Sequence, residues 1–226
     1  MKSAIKTYLS IIIILLLADV GYIVSCTQKD TLLQPPTPAA QSGNAKLDFI
    51  TDPKVSFDKA HSNVGWETAY LGGLSLLTGR FDTLGFNSFH FDEATPANTS
   101  FEAWVWVNKV NTSEPARDKG CLQTTFGVNT GMTTEAANVA VVKSKKVEFS
   151  SGDDGYNVTF DFTFHGVTKE LTGRFFYDGK IVAATQTSYG FSLYFQFLAK
   201  TDFGIVSNNI ADLVTIKCNA IFRQRL

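Results

Sequence analysis

Apolar and polar residues alternate along most of the chain beyond residue 60. In the run 154–165, one side of the pattern carries Tyr156, Val158, Phe160, Phe162 and Phe164, and the other side is polar. Period two with one apolar face is typical of an antiparallel strand that packs one face on a core and leaves the other in water. The pattern therefore predicts an all-β domain.

Eight such runs follow one another, and turn signals such as His165-Gly166 and Asp178-Gly179 separate them. The runs are 62–70, 79–92, 99–110, 138–150, 154–165, 167–178, 188–200 and 210–224. No long amphipathic helix competes with them, and only the segment between the third and fourth runs favours a short helical turn. Eight strands with apolar faces need a sandwich or a closed barrel, and an eight-stranded barrel can be filled by side chains or hold one small ligand.

The first residues have a different pattern. Lys2 and Lys6 precede an apolar run, Tyr8–Ala18, and "IVSC" at 23–26 has the form of a bacterial lipobox. We expect 1–25 to be a lipoprotein signal peptide, although Asp19 fits poorly so close to the apolar run. An uncleaved anchor helix is the alternative, in which Asp19 would be costly as well.

The predicted lipobox and the polar stretch after it set the expected domain boundaries. Cys26 would carry the acyl chains, and the polar, proline-containing stretch that follows would form a flexible tether, so that 26–46 links lipid to protein. The folded domain is expected at 47–226. Cys121 and Cys218 remain as cysteines that could pair outside the cytoplasm or stay as separate buried thiols.

The net charge of −1 gives no field that would favour nucleic acid. The basic run "KSKK" at 143–146 is interpreted as a solvated stretch. The three histidines, His61, His90 and His165, lie on different segments, and no metal-ligand spacing, nucleophile elbow or P-loop is present. The sequence thus predicts no catalytic residues, no metal and no cofactor, and His165 is interpreted as a turn residue near the rim of the domain.

Five segments carry a family resemblance. They are "AHSNVGWETAYLGGLSLLTGRF" (60–81), "FHFDEATPA" (89–97), "KVNTSEPARDKGCL" (109–122), "FTFHGVTKEL" (162–171) and "LAKTDFGI" (198–205). In this order they resemble the signature segments of the YceI-like, polyisoprenoid-binding family over about 53–226. Tyr70 and Cys121 stand where that family often has histidine.

The resemblance implies an eight-stranded antiparallel lipocalin-like barrel whose apolar lumen holds a long isoprenoid or similar lipid. The alternation alone favours a solid aromatic core, and the family resemblance reverses that preference. If the lumen is open, its expected ligand-binding residues are Trp66, Phe89, Phe91, Phe101, Val105, Val107, Phe160, Phe162, Phe195 and Phe197.

The expected function is that of a non-enzymatic, lipid-anchored protein that sequesters or carries a long apolar lipid, such as a molecule with an isoprenoid or quinone tail. It would lie in the bacterial cell envelope, in the periplasm or at the outer membrane. A second hypothesis is a surface lipoprotein with a solid barrel that acts through protein–protein contacts. In that case Trp104 and Trp106, opposite Val105 and Val107, would form a membrane or homodimer contact unless 113–135 covers them.

Overall fold

The computed structural model describes residues 43–121, 125–128, 138–150 and 155–226. They form twelve β-strands and two short α-helices. The strands are β1 (Lys46–Asp48), β2 (Val55–Phe57), β3 (Asn63–Tyr70), β4 (Ser75–Phe81), β5 (Leu84–Asp92), β6 (Ser100–Trp106), β7 (Val110–Asn111), β8 (Val139–Ser150), β9 (Gly155–Phe164), β10 (Val167–Val182), β11 (Gln186–Leu198) and β12 (Ile210–Arg225). The helices are α1 (Pro115–Gly120) and α2 (Ala199–Phe203).

The sheet closes into a barrel because two of its long segments are each built from two strands in line. Only Asp82 and Thr83 separate β4 from β5. On one edge of this bent segment, β6 pairs with β5, and β7 pairs with Arg80 and Phe81 at the end of β4. On its other edge β4 pairs with β3. The antiparallel order is then β3, β4–β5, β6–β7, β8, β9, β10, β11, β12 and back to β3. The predicted all-β lipocalin-like barrel is confirmed. It has eight long segments, of which β4–β5 and β6–β7 each consist of two strands.

Two boundaries differ from the sequence prediction. The run 79–92 is not one regular strand, because the chain bends at Asp82-Thr83 and so pairs with different neighbours before and after the bend. The turn expected at Asp178-Gly179 is instead a bulge within β10, where the register with β11 shifts between Tyr177 and Gly179. A bulge adds a residue without ending the pairing, so β10 continues to Val182.

The N-terminal strands fill a gap in the barrel wall. β1 pairs with β5, and β2 pairs with the last part of β12, so the two strands occupy the edges that β5 and β12 leave free. Phe57 of β2 lies 5.0 Å from Phe86 and 5.5 Å from Phe222, measured between ring centroids. The first described strand begins at Lys46, close to the expected start of the domain.

The barrel has two distinct ends. The hairpin end carries the β3–β4 hairpin, helix α2 and the β9–β10 turn, in which His165 and Gly166 both have positive φ angles of 50° and 73°. A two-residue hairpin turn of this kind matches the twist of its strands. The Glu93 end carries the β5–β6 connection, which starts at Glu93, and the β10–β11 turn.

Helix α1 lies between the third and fourth predicted runs, where a short helical segment was expected. Asp118 of this helix accepts a hydrogen bond from the backbone N–H of Thr112 (2.7 Å). The Nε of Arg117 donates to Oγ1 of the same threonine (3.0 Å). The Arg-Asp pair therefore fastens α1 to the chain that precedes it.

No helix in the described ranges has the length and apolar character that a bilayer crossing requires. The predicted signal peptide and the predicted acylation of Cys26 fall outside the described residues.

Candidate functional site

The barrel encloses an apolar cavity with a volume of about 100 Å³. Every one of the eight long segments contributes to its wall. The lining side chains include Trp66, Phe81, Phe89, Phe101, Val105, Phe126, Ala140, Val142, Phe162, Phe164, Phe175, Phe191, Leu193, Phe195, Phe197, Val214, Ile216 and Ala220. The alternation that predicted the strands thus directs their apolar faces toward a shared interior that is not completely filled.

Eight of the ten predicted lumen residues line this cavity. They are Trp66, Phe89, Phe101, Val105, Val107, Phe162, Phe195 and Phe197. The other two, Phe91 and Phe160, face inward and are fully buried, but neighbouring rings separate them from the open space. Phe91 lies 4.8 Å from both Tyr177 and Phe191, and Phe160 packs edge-to-face on Phe195 at 5.0 Å.

Small side chains, which the sequence prediction did not single out, help to leave the space open. Ala103, Ala140 and Ala220 face the cavity at positions where a larger residue would project into it. The alternation identifies such positions as inward, but it does not show whether side chains from opposite strands meet.

Phe126 is a lining residue that no periodic pattern could have revealed. It lies between α1 and β8, outside any strand, and its ring is 5.1 Å from Trp66 and 5.9 Å from Phe81. This short segment therefore closes part of the lumen at the hairpin end.

Two tryptophans lie over glycines, one on each face of the wall. Trp66 covers Gly79 inside the barrel, and a Cβ atom on Gly79 would come within 2.8 Å of its indole ring. Trp104 covers Gly85 in the same way, at 2.7 Å, on the face that alternates with the inward Ala103 and Val105, and both Gly85 and Trp104 also border the cavity. Trp66 is only 3% exposed, and its indole N–H has no hydrogen-bond partner among the described residues. It is a polar donor within an otherwise apolar wall.

The outward position of Trp104 and Trp106 agrees with the alternation, but both side chains are half-buried. Their ring centroids are 6.0 Å apart, and Trp104 fills the groove above Gly85. Packing against the barrel's own wall thus accounts for part of this aromatic surface.

The two cysteines outside the N-terminal region are both free thiols. Cys218 lines the cavity, and burial raises its pKa to about 12. Burial also raises the pKa of Cys121. Cys218 lies among the apolar side chains that line the cavity, and these surroundings disfavour its charged form. Both thiols stay protonated near neutral pH and are poor nucleophiles.

The histidines have structural contacts at separate places. Nδ1 of His61 lies 2.8 Å from a carboxylate oxygen of Asp58, and Nδ1 of His165 lies 3.1 Å from the carbonyl oxygen of Phe203, to which it can donate. Within the described part of the chain, no three His, Cys, Asp or Glu side chains are grouped so that they could hold a metal ion.

The basic run 143–146 lies on the barrel wall, where each of its lysines is neutralised. The ion pairs are Lys143–Glu102 (3.0 Å), Lys145–Glu170 (2.7 Å) and Lys146–Glu148 (2.8 Å). This arrangement agrees with the interpretation of the run as a solvated charged stretch.

A buried polar network closes the Glu93 end. The Glu93 side chain is 3% exposed and accepts hydrogen bonds from Lys180 Nζ (2.8 Å to each oxygen), the Tyr177 hydroxyl (3.0 Å) and the Ala45 N–H (3.2 Å). Burial alone raises the pKa of Glu93, but these three donors outweigh it and hold the pKa below its usual value. The carboxylate is therefore charged and fully engaged at neutral pH.

A closed antiparallel barrel with an apolar interior belongs to the lipocalin-like class of β-barrels. The chain matches the YceI-like domain family over residues 56–222, and it belongs to that family. It is 32% identical over 130 residues to a UPF0312 protein of Vibrio parahaemolyticus, and 30% identical over 119 residues to a UPF0312 protein of Yersinia enterocolitica. The first alignment covers 58% of this chain and 62% of the relative, and the second covers 53% and 57%.

Two solved structures, BcnA and a YceI protein, show the same fold. BcnA of Burkholderia cenocepacia has a TM-score of 0.56 at 18% identity, covering 74% of this chain and 99% of that one. A mutant YceI protein of Campylobacter jejuni with a monobromobimane guest has a TM-score of 0.50 at 22% identity, covering 73% and 96%. A polyisoprenoid-binding domain of Saccharophagus degradans has a TM-score of 0.48 at 17% identity, covering 76% and 99%.

Proposed function

We propose that this protein binds one linear apolar lipid of the isoprenoid type in the lumen of its barrel. The observation that carries the proposal is the cavity itself, to which all eight long segments contribute apolar side chains. Membership of the YceI-like family, whose resemblance already implied an isoprenoid ligand, supports the choice of ligand. The proposal contains no covalent step, so the protein acts as a carrier or reservoir and not as an enzyme.

The size of the cavity sets a condition on the ligand. About 100 Å³ is less than the roughly 300–1,000 Å³ of common ligand pockets, so the space suits a narrow chain and not a compact molecule. A long chain enters only if aromatic rings such as Phe162, Phe195 and Phe197 change rotamer. Each square ångström of chain surface removed from water contributes about 25 cal/mol, which drives that rearrangement.

We propose further that acyl chains on Cys26 hold the protein at a membrane of the bacterial cell envelope. Each buried methylene of an acyl chain contributes about 0.8 kcal/mol, so two or more chains anchor a protein firmly. A polar tether after Cys26 would keep the barrel close to the source of its ligand. Replacing Cys26 with serine should release the protein from the membrane fraction, whereas Cys121→Ser should not. Equal membrane fractions for the two variants would contradict the anchor.

The binding proposal is tested by extraction of the purified full-length chain with organic solvent, followed by mass spectrometry. We expect a long-chain lipid at about one molecule per protein, or uptake of added geranylgeraniol if the protein is isolated empty. A clean extract together with no uptake would overturn the proposal and favour a solid barrel.

A matched pair of variants locates the ligand. Ala140 faces the cavity, so Ala140→Phe should fill it and reduce uptake at least about tenfold. Val141 is the next residue of β8 and points to the outer face, so Val141→Phe should leave uptake unchanged. If the two variants take up ligand equally, the ligand does not lie in this cavity.

A further inference from the structure

A group of exposed aliphatic side chains, which we name the leucine rim, lies at the hairpin end. Its members are Leu71, Leu74, Leu76, Leu198, Val206 and Leu213. Two of them are almost completely exposed, Leu74 at 87% and Val206 at 91%. Soluble proteins rarely expose contiguous apolar patches without a binding role.

Strand pairing makes the rim continuous. Leu198 of β11 pairs with Leu213 of β12, and Leu76 of β4 pairs with Ala69 of β3. Leu213 directly precedes Val214, which pairs with β3 next to Ala69. These outward side chains thus form one stripe across four adjacent strands.

A backbone hydrogen bond joins two protruding loops at the end of that stripe. The N–H of Leu71 donates to the carbonyl oxygen of Asn209 (2.8 Å), which ties the β3–β4 hairpin to the loop between α2 and β12. The hairpin carries Leu74 at its tip, and the loop carries Val206. The most exposed aliphatic side chains therefore project from the same part of the molecule.

The absence of charge on these loops identifies the kind of partner. The stretches 70–77 (YLGGLSLL) and 203–210 (FGIVSNNI) contain no Asp, Glu, Lys or Arg. A surface that buries in a protein partner usually has a polar, charged rim around its apolar centre. Two protruding loops with apolar tips and no charge to desolvate suit insertion into the apolar layer of a bilayer instead.

The leucine rim lies near one end of the lumen, so a contact between the rim and a bilayer would bring that end close to the membrane. A cleft of about 360 Å³ lies beside it, bordered by Leu76, Thr125 and Ile210. Thr125 directly precedes Phe126, which lines the lumen. The leucine rim thus stands at the end of the lumen opposite the network of Glu93.

We infer that the leucine rim docks on a phospholipid bilayer, with Leu74 and Val206 inserted below the headgroups, so that lipid passes between the membrane and the hairpin end of the lumen. This inference rests on the proposed function and names the surface through which the ligand is exchanged. Because the two loops that insert contain no charged residue, their insertion does not require anionic lipid.

The first test measures insertion directly. Leu74→Cys and, as a matched control at the opposite end, Ile181→Cys are labelled with an environment-sensitive fluorophore in the full-length chain. Ile181 is also aliphatic and exposed, at 75%. On phosphatidylcholine vesicles that carry nitroxide-labelled lipid, we expect a blue shift and quenching at position 74 and neither effect at position 181. The unsubstituted chain gives the background from native cysteines.

Two results of this test would overturn the inference. One is an equal response at both positions. The other is no response at position 74 together with sedimentation that shows a dimer dependent on Leu74, since the rim would then bind a second copy of the chain.

The second test measures exchange. The double variant Leu74→Asp/Val206→Asp should take up tritiated geranylgeraniol from phosphatidylcholine vesicles about tenfold more slowly than the unsubstituted chain. Ile181→Asp should behave like the unsubstituted chain. Uptake from dilute detergent, which needs no docking, should be equal in all three, and this equality also shows that the double variant is folded.

The outcomes separate the inference from the function on which it rests. If all variants exchange ligand with vesicles at the same rate, the docking surface is wrong and the lumen proposal stands. If the unsubstituted chain takes up no geranylgeraniol from either source, the lumen proposal itself is wrong.

Discussion

The two ends of the barrel differ in chemistry although the same strands form both. At the Glu93 end, the buried carboxylate of Glu93 binds the buried phenol of Tyr177 and the more exposed ammonium group of Lys180, and the N-terminal strands fill the wall beside them. At the hairpin end, the stretches 70–77 and 203–210 are uncharged, and their aliphatic side chains Leu74 and Val206 are exposed. The difference suggests that the Glu93 end stabilises the barrel and that the hairpin end provides access to the lumen.

Stability at the Glu93 end comes from contacts that are far apart in sequence. Phe222 stacks on Phe89 with ring centroids 4.0 Å apart, and Phe57 packs on Phe222 as well. Ala45 reaches Glu93 across the same region. Contacts of this kind join β1, β2, β5, β10 and β12, so their loss affects the whole barrel.

The largest effect is expected for Phe222→Ala. Phe222 is fully buried in the aromatic stack of the Glu93 end, and removing such a ring should cost about 3–5 kcal/mol in the free energy of unfolding. Urea denaturation measures the change. A loss below about 1 kcal/mol would show that this end is not the stable part of the barrel.

The next effect is expected for Glu93→Gln, which leaves Lys180 without its ionic partner. We expect a loss of about 2–3 kcal/mol in the free energy of unfolding, because the carboxylate is buried and satisfied. Glu148→Gln is the control, since its ion pair with Lys146 is exposed and should contribute less than about 1 kcal/mol.

The same variant should change the dependence of stability on pH. The folded pKa of Glu93 is lowered, so its contribution is complete above the unfolded pKa, about 4.3, and is lost as the pH falls through the folded value. Thermal unfolding between neutral pH and pH 3 should show a smaller decrease in Glu93→Gln than in the unsubstituted protein. Parallel curves would contradict the assigned role of the carboxylate.

A smaller effect on stability, but a large one on binding, is expected for Gly79→Ala. Its new Cβ atom displaces the indole of Trp66 inside the lumen and should cost about 1–3 kcal/mol in stability while reducing ligand uptake. Gly155→Ala imposes a similar displacement on Phe176, which does not line the cavity, so it should cost a similar amount and leave uptake unchanged. Equal uptake by both variants would mean that the lumen wall near Trp66 does not touch the ligand.

The smallest effect on stability is expected at the hairpin end. Leu74→Ser replaces a side chain that has almost no contacts, so the free energy of unfolding should change by less than about 0.5 kcal/mol. Denaturation curves that overlap, together with a loss of vesicle contact, would complete the contrast with Phe222→Ala. A large destabilisation would instead show that the hairpin is part of the core.

The sequence was sufficient for the strands because alternation is a local signal, whereas the choice of a barrel over a sandwich came from the family resemblance. The inward orientation of Phe160, Phe162 and Phe164 can be predicted from their own strand, without information about any other strand. Alternation does not report register or distance across the barrel, which is why Phe91 and Phe160 were expected in the lumen wall and instead pack behind other rings.

Other features depend on contacts that are distant in sequence. Glu93, Lys180 and Ala45 come from three separate parts of the chain, and none of them has a recognisable motif. Phe126 lies in irregular chain, where periodicity has no meaning. The bend at Asp82-Thr83 depends on which neighbours each half of the segment finds, so the pattern there resembled one continuous strand.

The position of β1 and β2 has a practical consequence. The family match begins at residue 56, so a protein expressed from that point would lack Lys46–Asp48 and the start of Val55–Phe57. The backbone edges of β5 and β12 would then face solvent, and unprotected edges of this kind recruit further strands from other molecules. Preparations that begin at residue 56 should therefore tend to aggregate, and an expressed protein should retain the ten or so residues that precede it.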